Sequence, residues 1–158
     1  KKQTDMQLMI AEALQLYTVA KNTQKIDGDI AEVGTYKGGS AEMICLAKEN
    51  KSLYLFDTFK GLPNTLEVDK GQFKEGQYAS SLQEVKKRLE KYPNVLICEG
   101  VFPESAGMIQ DKKFSLLHLD VDIYFSTLKS LEFFYPRILL LEGICSAYQT
   151  ELLRELEI

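Results

Sequence analysis

The sequence predicts an α/β fold, in which a Rossmann-like parallel sheet carries helices on both faces. Three observations support this prediction. Short apolar runs alternate with helical patterns, runs such as LYLF and VLIC are apolar at every position, and glycines follow the first predicted strand. Continuously apolar strands are typical of parallel sheets, which are covered on both faces. The 158 residues indicate a single domain with one core.

The first predicted element is an amphipathic helix within residues 1–25, because apolar residues recur there at helical spacing. These residues are Met6, Ile10, Ala13, Leu14, Tyr17 and Ala20. A strand (29–34), a helix (39–48) that begins at a glycine-rich turn, and a second strand (52–57) follow. Residues 58–80 contain glycines and show little periodicity, which predicts a long loop. Loops of this length are usually functional or disordered.

The second half of the chain continues the alternation of helices and strands. Ser81 and Glu84 match a capping box and predict the start of a helix. The remaining predicted elements are a strand at 94–100, a short helix after Pro103, a strand at 113–122 and a helix at 126–135 that Pro136 ends. The domain therefore divides into the helix of residues 1–25, a core at 28–138 and a tail at 139–158.

Composition excludes several classes of function. The net charge is −4 and the lysines are scattered among acids, so we expect no nucleic-acid partner. No apolar run approaches the length that crosses a bilayer, so we expect no membrane span. The three cysteines are isolated in apolar contexts, which indicates reduced thiols in a cytoplasmic protein. A single His and no C-x-x-C argue against zinc.

Acidic residues stand at the end of every predicted strand of the core, where open α/β sheets bind ligands. They are Glu32 before Gly34, Asp57, Glu99 before Gly100, and Asp120 with Asp122. Gly34 lets the chain turn sharply, and Gly38 and Gly39 let a ligand approach the N-terminus of the next helix. The pattern is neither G-x-G-x-x-G, because Tyr36 replaces the second glycine, nor a P-loop, because no Lys follows Gly39.

Two of these acids favour S-adenosylmethionine as the ligand. Asp57 lies roughly twenty residues after Gly34, where a carboxylate can accept hydrogen bonds from both hydroxyls of an adenosine ribose. Glu32 would attract the ammonium group of S-adenosylmethionine and repel a pyrophosphate. A nicotinamide-dependent oxidoreductase is the less favoured alternative. The glycines could also serve packing alone, and Asp57 could be a helix cap or a surface acid.

Four stretches of the sequence resemble the macrocin O-methyltransferase family. They are GDIAEVGTYKGGSAEMI, LYLFDTFKGLP, YPNVLICEGVFPES and FSLLHLDVDIYFSTLKSLEFFYPRI, and they cover most of residues 28–138. The resemblance implies a class I S-adenosylmethionine-dependent methyltransferase. Such an enzyme methylates a hydroxyl of a small molecule, of sugar or natural-product type.

The resemblance also implies a role for each matched site residue. The cofactor-binding residues would be Glu32, Gly34 and Ser40 at the methionine end, Asp57 at the ribose, and Ser80 or Ser81 with Glu99 and Gly100 near the adenine. Asp120 would be a ligand of a divalent cation, usually Mg²⁺, and Asp122 would be the general base. Residues 60–80 would belong to a mobile lid over the acceptor.

The spacing of residues within 117–122 offers a physical reason for Asp120 and Asp122 to act at one site. In an extended strand, alternate residues share one face, which would place His118, Asp120 and Asp122 together. A cation relieves the repulsion between two carboxylates and lowers the pKa of a bound hydroxyl, whose proton the free carboxylate can take. Alternatively, the two aspartates cap the following helix, and His118 is a hydrogen-bonded structural residue.

The tail departs from the family pattern. The family continues into a strand that ends in two aspartates and an aromatic residue, whereas no Asp follows Asp122 here. ICSAY could occupy that strand, but we expect the fold to lack the last strands of the class I methyltransferase sheet. We interpret residues 139–158 as an atypical or truncated tail. We therefore expect weak Mg²⁺ binding, and a catalytically impaired S-adenosylmethionine-binding domain is the alternative function. The N-terminal helix or the tail could form a homodimer contact.

Overall fold

A computed structural model describes residues 8–64, 66–69 and 71–139, together with the backbone of 144–147. The described strands are β1 (Asp29–Val33), β2 (Leu53–Asp57), β3 (Val95–Glu99), β4 (Phe114–Leu119) and β5 (Ile144–Ala147). They form one sheet in the order β3-β2-β1-β4-β5, and every neighbouring pair is parallel. The predicted α/β class and parallel sheet are confirmed, and β5 lies within the predicted ICSAY strand.

The helices cover both faces of the sheet. They are α1 (Ile10–Asn22), α2 (Gly39–Ala47), α3 (Leu82–Leu89) and α4 (Tyr124–Phe134), with single 3₁₀ segments at Thr23–Lys25, Glu67–Asp69, Glu104–Ile109 and Tyr135–Arg137. Residues of α1, α2 and α3 pack on one face, and α4 packs on the other face together with the segment after Pro103. The predicted cap of α3 is confirmed, since Ser81 Oγ accepts a hydrogen bond from Glu84 N at 3.3 Å.

The two faces of the sheet bury different kinds of side chain. The face under α1 and α2 is mainly aliphatic. The opposite face holds an aromatic cluster of Phe56, Phe102, Phe114, Phe133 and Phe134, whose contacting rings have centroids 5.1–5.2 Å apart. Each buried ring removes a large apolar area from water, so both layers stabilise the sheet. The strands at its centre are thereby fixed, and they carry the site residues.

Two predictions about burial were wrong. Ile10 and Leu14 were expected on the buried face of α1, but they are 89% and 63% exposed. The helix instead buries Ala13, Leu16 and Ala20, a stripe with the spacing that one helix face requires. Met6 lies outside the described residues. The VLIC strand was expected to be buried on both faces, but β3 is an edge strand and its apolar residues are only half-buried.

The carboxyl ends of β1 and β4 flank the point where the strand order reverses. The chain runs from β1 outward to β2 and β3 and then returns to place β4 on the other side of β1. Gly34 follows β1 with a φ of +91°, and a Cβ built there would lie 1.9 Å from the carbonyl oxygen of Asp120. Only glycine permits this close approach of the two strand ends.

Among the residues that the structure describes, no helix is both long enough and apolar enough to span a membrane.

Candidate active site

One cleft opens at the carboxyl edge of the sheet, beside the point where the strand order reverses. Its volume is about 120 Å³. The lining residues come from the turns after β1, β2, β3 and β4, from the first residues of α2 and α4, from residues 58–80 and from the segment before α1. They are Leu8, Val33–Lys37, Gly39, Ser40, Phe56–Thr58, Gly61–Pro63, Tyr78, Gly100–Phe102, Asp120–Asp122 and Ser126. Ligands of open α/β sheets bind at this place. Most of the residues predicted from strand ends therefore meet in one cavity.

Asp57 is fixed in the cleft by two backbone donors. Its Oδ2 accepts a hydrogen bond from Tyr36 N at 2.7 Å, and its Oδ1 accepts one from Phe59 N at 2.7 Å. The first bond joins the turn after β1 to the end of β2. A carboxylate has about four acceptor positions, so two more remain for the hydroxyls of a ligand. The geometry is suited to a ribose diol.

An aromatic pair on the cleft wall was not predicted from the sequence. The rings of Tyr36 and Tyr78 meet edge to face with centroids 6.1 Å apart, and Ser80 Oγ donates to Tyr36 O at 2.7 Å. Tyr36 has a φ of +49° and Tyr78 a φ of +64°, a region that few non-glycine residues adopt. The one sequence signal was Tyr36 in the position of the second glycine of a dinucleotide motif.

Glu32 and His118 form a buried pair beneath the cleft. Both side chains are fully buried, and His118 Nε2 lies 3.8 Å from Glu32 Oε1. Burial raises the pKa of Glu32 to about 8, an effect that the hydroxyls of Ser40 and Thr35 oppose, and burial lowers the pKa of His118 to about 4. Both groups are therefore mainly neutral at pH 7. Glu32 does not line the cleft, but Ser40 does.

The predicted strand through Asp120 and Asp122 was too long. β4 ends at Leu119, and Asp122 has a φ of +60°. The alternation of a strand therefore does not reach Asp122, and the prediction that His118, Asp120 and Asp122 share a strand face was wrong. A tight turn instead brings both aspartates to the cleft.

Both aspartates of the cleft have raised pKa values. Burial, and secondly the charge of Asp120, raise the pKa of Asp122 to about 6. The pKa of Asp120 is also raised, first by desolvation and then by the charge of Glu12 at the start of α1. A carboxylate whose pKa approaches neutrality is a competent general base.

The start of α4 has a cap from an aspartate other than Asp120 and Asp122. The first N–H of α4, that of Tyr124, donates to Asp69 Oδ1 at 3.0 Å. Ile123, the N-cap residue, makes no side-chain capping bond. The cap comes from residues 58–80, and no sequence pattern indicated it.

The side chains that the structure describes supply only part of a ligand set for a divalent metal. Among them no cluster of three or more His, Cys, Asp or Glu residues could hold a metal ion. Asp120 and Asp122 supply two carboxylates, whereas Mg²⁺ takes six oxygen ligands and usually keeps several waters.

The other predicted site residues divide into two groups. Gly34, Ser40 and Gly100 line the cleft. Ser81 is engaged as the cap of α3, and Glu99 is exposed at the end of β3; neither lines the cleft. A Cβ on Gly38 would meet Val85 at 3.3 Å, so this glycine permits the packing of α3 against the turn.

One protein-family model matches most of the chain. The family model described as macrocin-O-methyltransferase (TylF) matches residues 10–143. The chain has no significant match among curated protein sequences.

Several solved structures share the fold. Calicheamicin methyltransferase CalS11 superposes with a TM-score of 0.68 at 18% identity, over 81% of this chain and 60% of that chain. The O-methyltransferase NovP superposes with a TM-score of 0.65 at 20% identity, over 82% of this chain and 61% of that chain. An apo structure of CalS11, described as a TDP-rhamnose 3′-O-methyltransferase, superposes with a TM-score of 0.56 at 20% identity, over 81% of this chain and 58% of that chain. The chain spans about three fifths of the length of each of these neighbours.

Proposed function

The chain belongs to the macrocin O-methyltransferase family, and on this premise we propose that it is an S-adenosylmethionine-dependent O-methyltransferase that acts on a hydroxyl of a small molecule. One observation carries the proposal. A single cleft at the reversal of strand order collects a carboxylate suited to a ribose, a glycine turn, and a second carboxylate with a pKa of about 6.

The cofactor site extends from the turn after β1 to the turn after β3. The Asp57 carboxylate accepts hydrogen bonds from the ribose hydroxyls, and Gly34 and Ser40 border the methionine end. Glu32 lies behind Ser40 and is mainly neutral at pH 7 in the free protein. It loses its proton when the cationic donor binds nearby, because a neighbouring positive charge lowers the pKa of a carboxyl. Gly100 borders the adenine. We extend the adenine region to Ser81 and Glu99 as well, on the family resemblance alone.

The transfer step needs a base and an oriented hydroxyl. The bound donor supplies a methyl group activated by its sulfonium. Asp122 accepts the proton of the acceptor hydroxyl as the oxygen forms its bond to the methyl carbon, and the electron pair of the breaking bond passes to sulfur. The cleft orients the hydroxyl against the methyl group, and this proximity supplies most of the rate enhancement.

The finer features of the site are also proposals. Asp120 is the proposed ligand should Mg²⁺ assist the reaction, as in the family resemblance. A sugar hydroxyl is the proposed acceptor, since one neighbour is described as a TDP-rhamnose 3′-O-methyltransferase. Three further features remain predictions from the sequence. They are a cytoplasmic location, the formation of a homodimer, and the lack of a nucleic-acid partner.

A second candidate function is a cofactor-binding domain that does not react. The observation that favours it is the pair of carboxylates, Asp120 and Asp122, without a third metal-ligating group among the side chains described. This candidate predicts S-adenosylhomocysteine binding without methyl transfer.

Methyl transfer from radiolabelled S-adenosylmethionine to TDP-rhamnose and a panel of glycosides distinguishes the two candidates. We expect transfer to at least one hydroxyl, and a rate at least about 100-fold lower for Asp122→Asn, because general-base catalysis contributes about this much. Asp111→Asn, an exposed aspartate outside the cleft, is the matched control and should retain the wild-type rate.

Two further results complete the test. If the described carboxylates act without a metal, EDTA leaves the rate unchanged, whereas a loss that Mg²⁺ restores would show that other ligands complete a site around Asp120. Binding of S-adenosylhomocysteine without transfer to any acceptor would contradict the enzymatic proposal.

A further inference from the structure

Asp69 is a buried carboxylate that joins residues 58–80 to the start of α4. It lies in the 3₁₀ segment Glu67–Asp69, and its side chain is 6% exposed. Its Oδ1 accepts the hydrogen bond from Tyr124 N at 3.0 Å, and its Oδ2 accepts a longer one from Leu66 N at 3.4 Å. Its carbonyl oxygen accepts from Gln72 N and Phe73 N.

The start of α4 depends on this distant residue. The N-terminal N–H groups of a helix need acceptors, and negative charge is favourable there. The N-cap residue Ile123 offers no side-chain acceptor, so Asp69 supplies one from 55 positions away in the chain.

The same contact borders the turn that presents Asp122. Asp122 stands two residues before Tyr124 with a φ of +60°, and Ile123 N donates to Val121 O at 2.6 Å. A left-handed conformation in a non-glycine residue persists only where its surroundings hold it. Tyr124 N is a fixed point on one side of this turn, and the pairing of Asp120 N with Val33 O at 2.9 Å is a fixed point on the other.

Asp69 also belongs to a segment that forms another wall of the cleft. Leu62 N donates to Gln77 O and Gly76 N donates to Leu62 O, so the two arms of residues 58–80 are joined. Leu62 and Tyr78 of these arms line the cleft. The contact between Asp69 and α4 therefore connects the wall formed by residues 58–80 to the turn of Asp122.

We propose that Asp69 is a positioning residue for the methyl transfer: by accepting the hydrogen bond of Tyr124, it holds the turn of Asp122 in the geometry that meets the acceptor hydroxyl. This inference rests on the proposed function. Asp69 does not line the cleft, so it acts through α4 and not by contact with the reactants. Cofactor binding depends on Asp57 and the turn after β1, and Asp69 should leave it unchanged.

The test compares Asp69→Ala, Asp69→Asn and the control Gln77→Ala. Asn retains an oxygen that can accept from Tyr124 N, whereas Ala does not. Gln77 Oε1 accepts from Lys74 N at 3.1 Å within the same segment, so its removal costs a similar hydrogen bond that does not involve α4. The assays are the kcat with the acceptor of the panel that reacts fastest, the KM for S-adenosylmethionine, the Kd of S-adenosylhomocysteine, and amide hydrogen exchange of residues 121–127.

We expect Asp69→Ala to lower kcat about tenfold or more, the scale expected when a reacting group is misplaced. The KM for S-adenosylmethionine and the Kd of S-adenosylhomocysteine should stay within about twofold of the wild type, and exchange at 121–127 should accelerate because the cap that closes the first turn is lost. Asp69→Asn should restore kcat to within about threefold, since its oxygen still accepts the bond. Gln77→Ala should resemble the wild type.

Several outcomes would overturn the proposal. The first is a kcat of Asp69→Ala equal to that of the wild type. The second is a kcat of Asp69→Asn as low as that of Asp69→Ala. The third is a kcat of Gln77→Ala reduced as much as that of Asp69→Ala. If the wild type transfers methyl to no acceptor, the proposed function fails, but the exchange experiment still decides the structural link. Unchanged exchange at 121–127 in Asp69→Ala would then contradict it.

Discussion

At the amino edge of the sheet, the chain's own donors satisfy the backbone acceptors, whereas at the carboxyl edge acidic groups face a cleft. Lys48 Nζ donates to Lys51 O and Pro93 O, each at 2.7 Å, and Lys51 Nζ donates to Ile26 O and Gly28 O at 2.5 and 2.6 Å. These bonds connect the segments that precede β1, β2 and β3. Two lysines thus close the amino edge with internal hydrogen bonds.

The carboxyl edge has the opposite character. Asp120 and Asp122 line the cleft with raised pKa values, and Glu32 beneath them has a pKa of about 8. Burying carboxylates side by side is unfavourable unless a ligand or a proton compensates. The comparison separates an edge closed by internal hydrogen bonds from an edge whose acidic groups have raised pKa values, and the second pattern is typical of functional sites.

The largest expected effect is that of Gly34→Ala at the carboxyl edge. The new Cβ would overlap the carbonyl oxygen of Asp120, and the φ of +91° disfavours alanine. We expect the free energy of unfolding to fall by at least about 3 kcal/mol, measured by urea denaturation. The control is Gly71→Ala, which has a φ of +92° but no atom within 4 Å of its Cβ; strain alone should cost about 1–2 kcal/mol. Equal losses in both variants would refute the role of close strand approach.

A smaller effect is expected from the ionisation of Glu32. Its pKa is about 8 in the folded protein and near 4.5 in the unfolded chain, so the folded state holds a proton that the unfolded state loses. Stability therefore falls as pH rises from about 4.5 to 8, and this slope is absent in Glu32→Gln. We expect the free energy of unfolding of Glu32→Gln, relative to the wild type, to rise by at least about 1.4 kcal/mol between pH 5 and pH 8, the equivalent of one pKa unit. A difference that does not change with pH would contradict the buried neutral carboxyl.

The two edges also differ in how far the sequence predicted them. Acids at successive strand ends indicated the cleft, because the carboxyl ends of parallel strands meet at one edge. The burial of Lys48 was not predicted, since a lysine after a helix usually lies in solvent. Its partners, Lys51 and Pro93, become neighbours only when the strands assemble. The capping of Tyr124 by Asp69 was missed for the same reason, because local patterns carry no information about contacts across 55 positions.

At the carboxyl edge, the predicted strand at 113–122 placed Asp120 near the cleft correctly but gave Asp122 the wrong backbone conformation. Period-two alternation applies while φ stays negative and extended, and the turn at Asp122 has a φ of +60°. The exposed face of α1 was misassigned because Ile10 and Leu14 fit an apolar stripe as well as Leu16 does. Only packing against the sheet decides between two such stripes.

Calorimetric titration with S-adenosylhomocysteine tests the central claim most directly, using one variant from each edge. We expect the wild type to bind, and Asp57→Ala to bind at least about tenfold more weakly, since hydrogen bonds to a charged group contribute about 1.5–3 kcal/mol. Lys48→Met should lose about 2 kcal/mol of stability, because the carbonyls of Lys51 and Pro93 lose the hydrogen bonds of a charged donor, yet bind with wild-type affinity. Absence of binding by the wild type at millimolar ligand, or equal weakening in Asp57→Ala and Lys48→Met, would contradict the assignment of the carboxyl edge as the cofactor site.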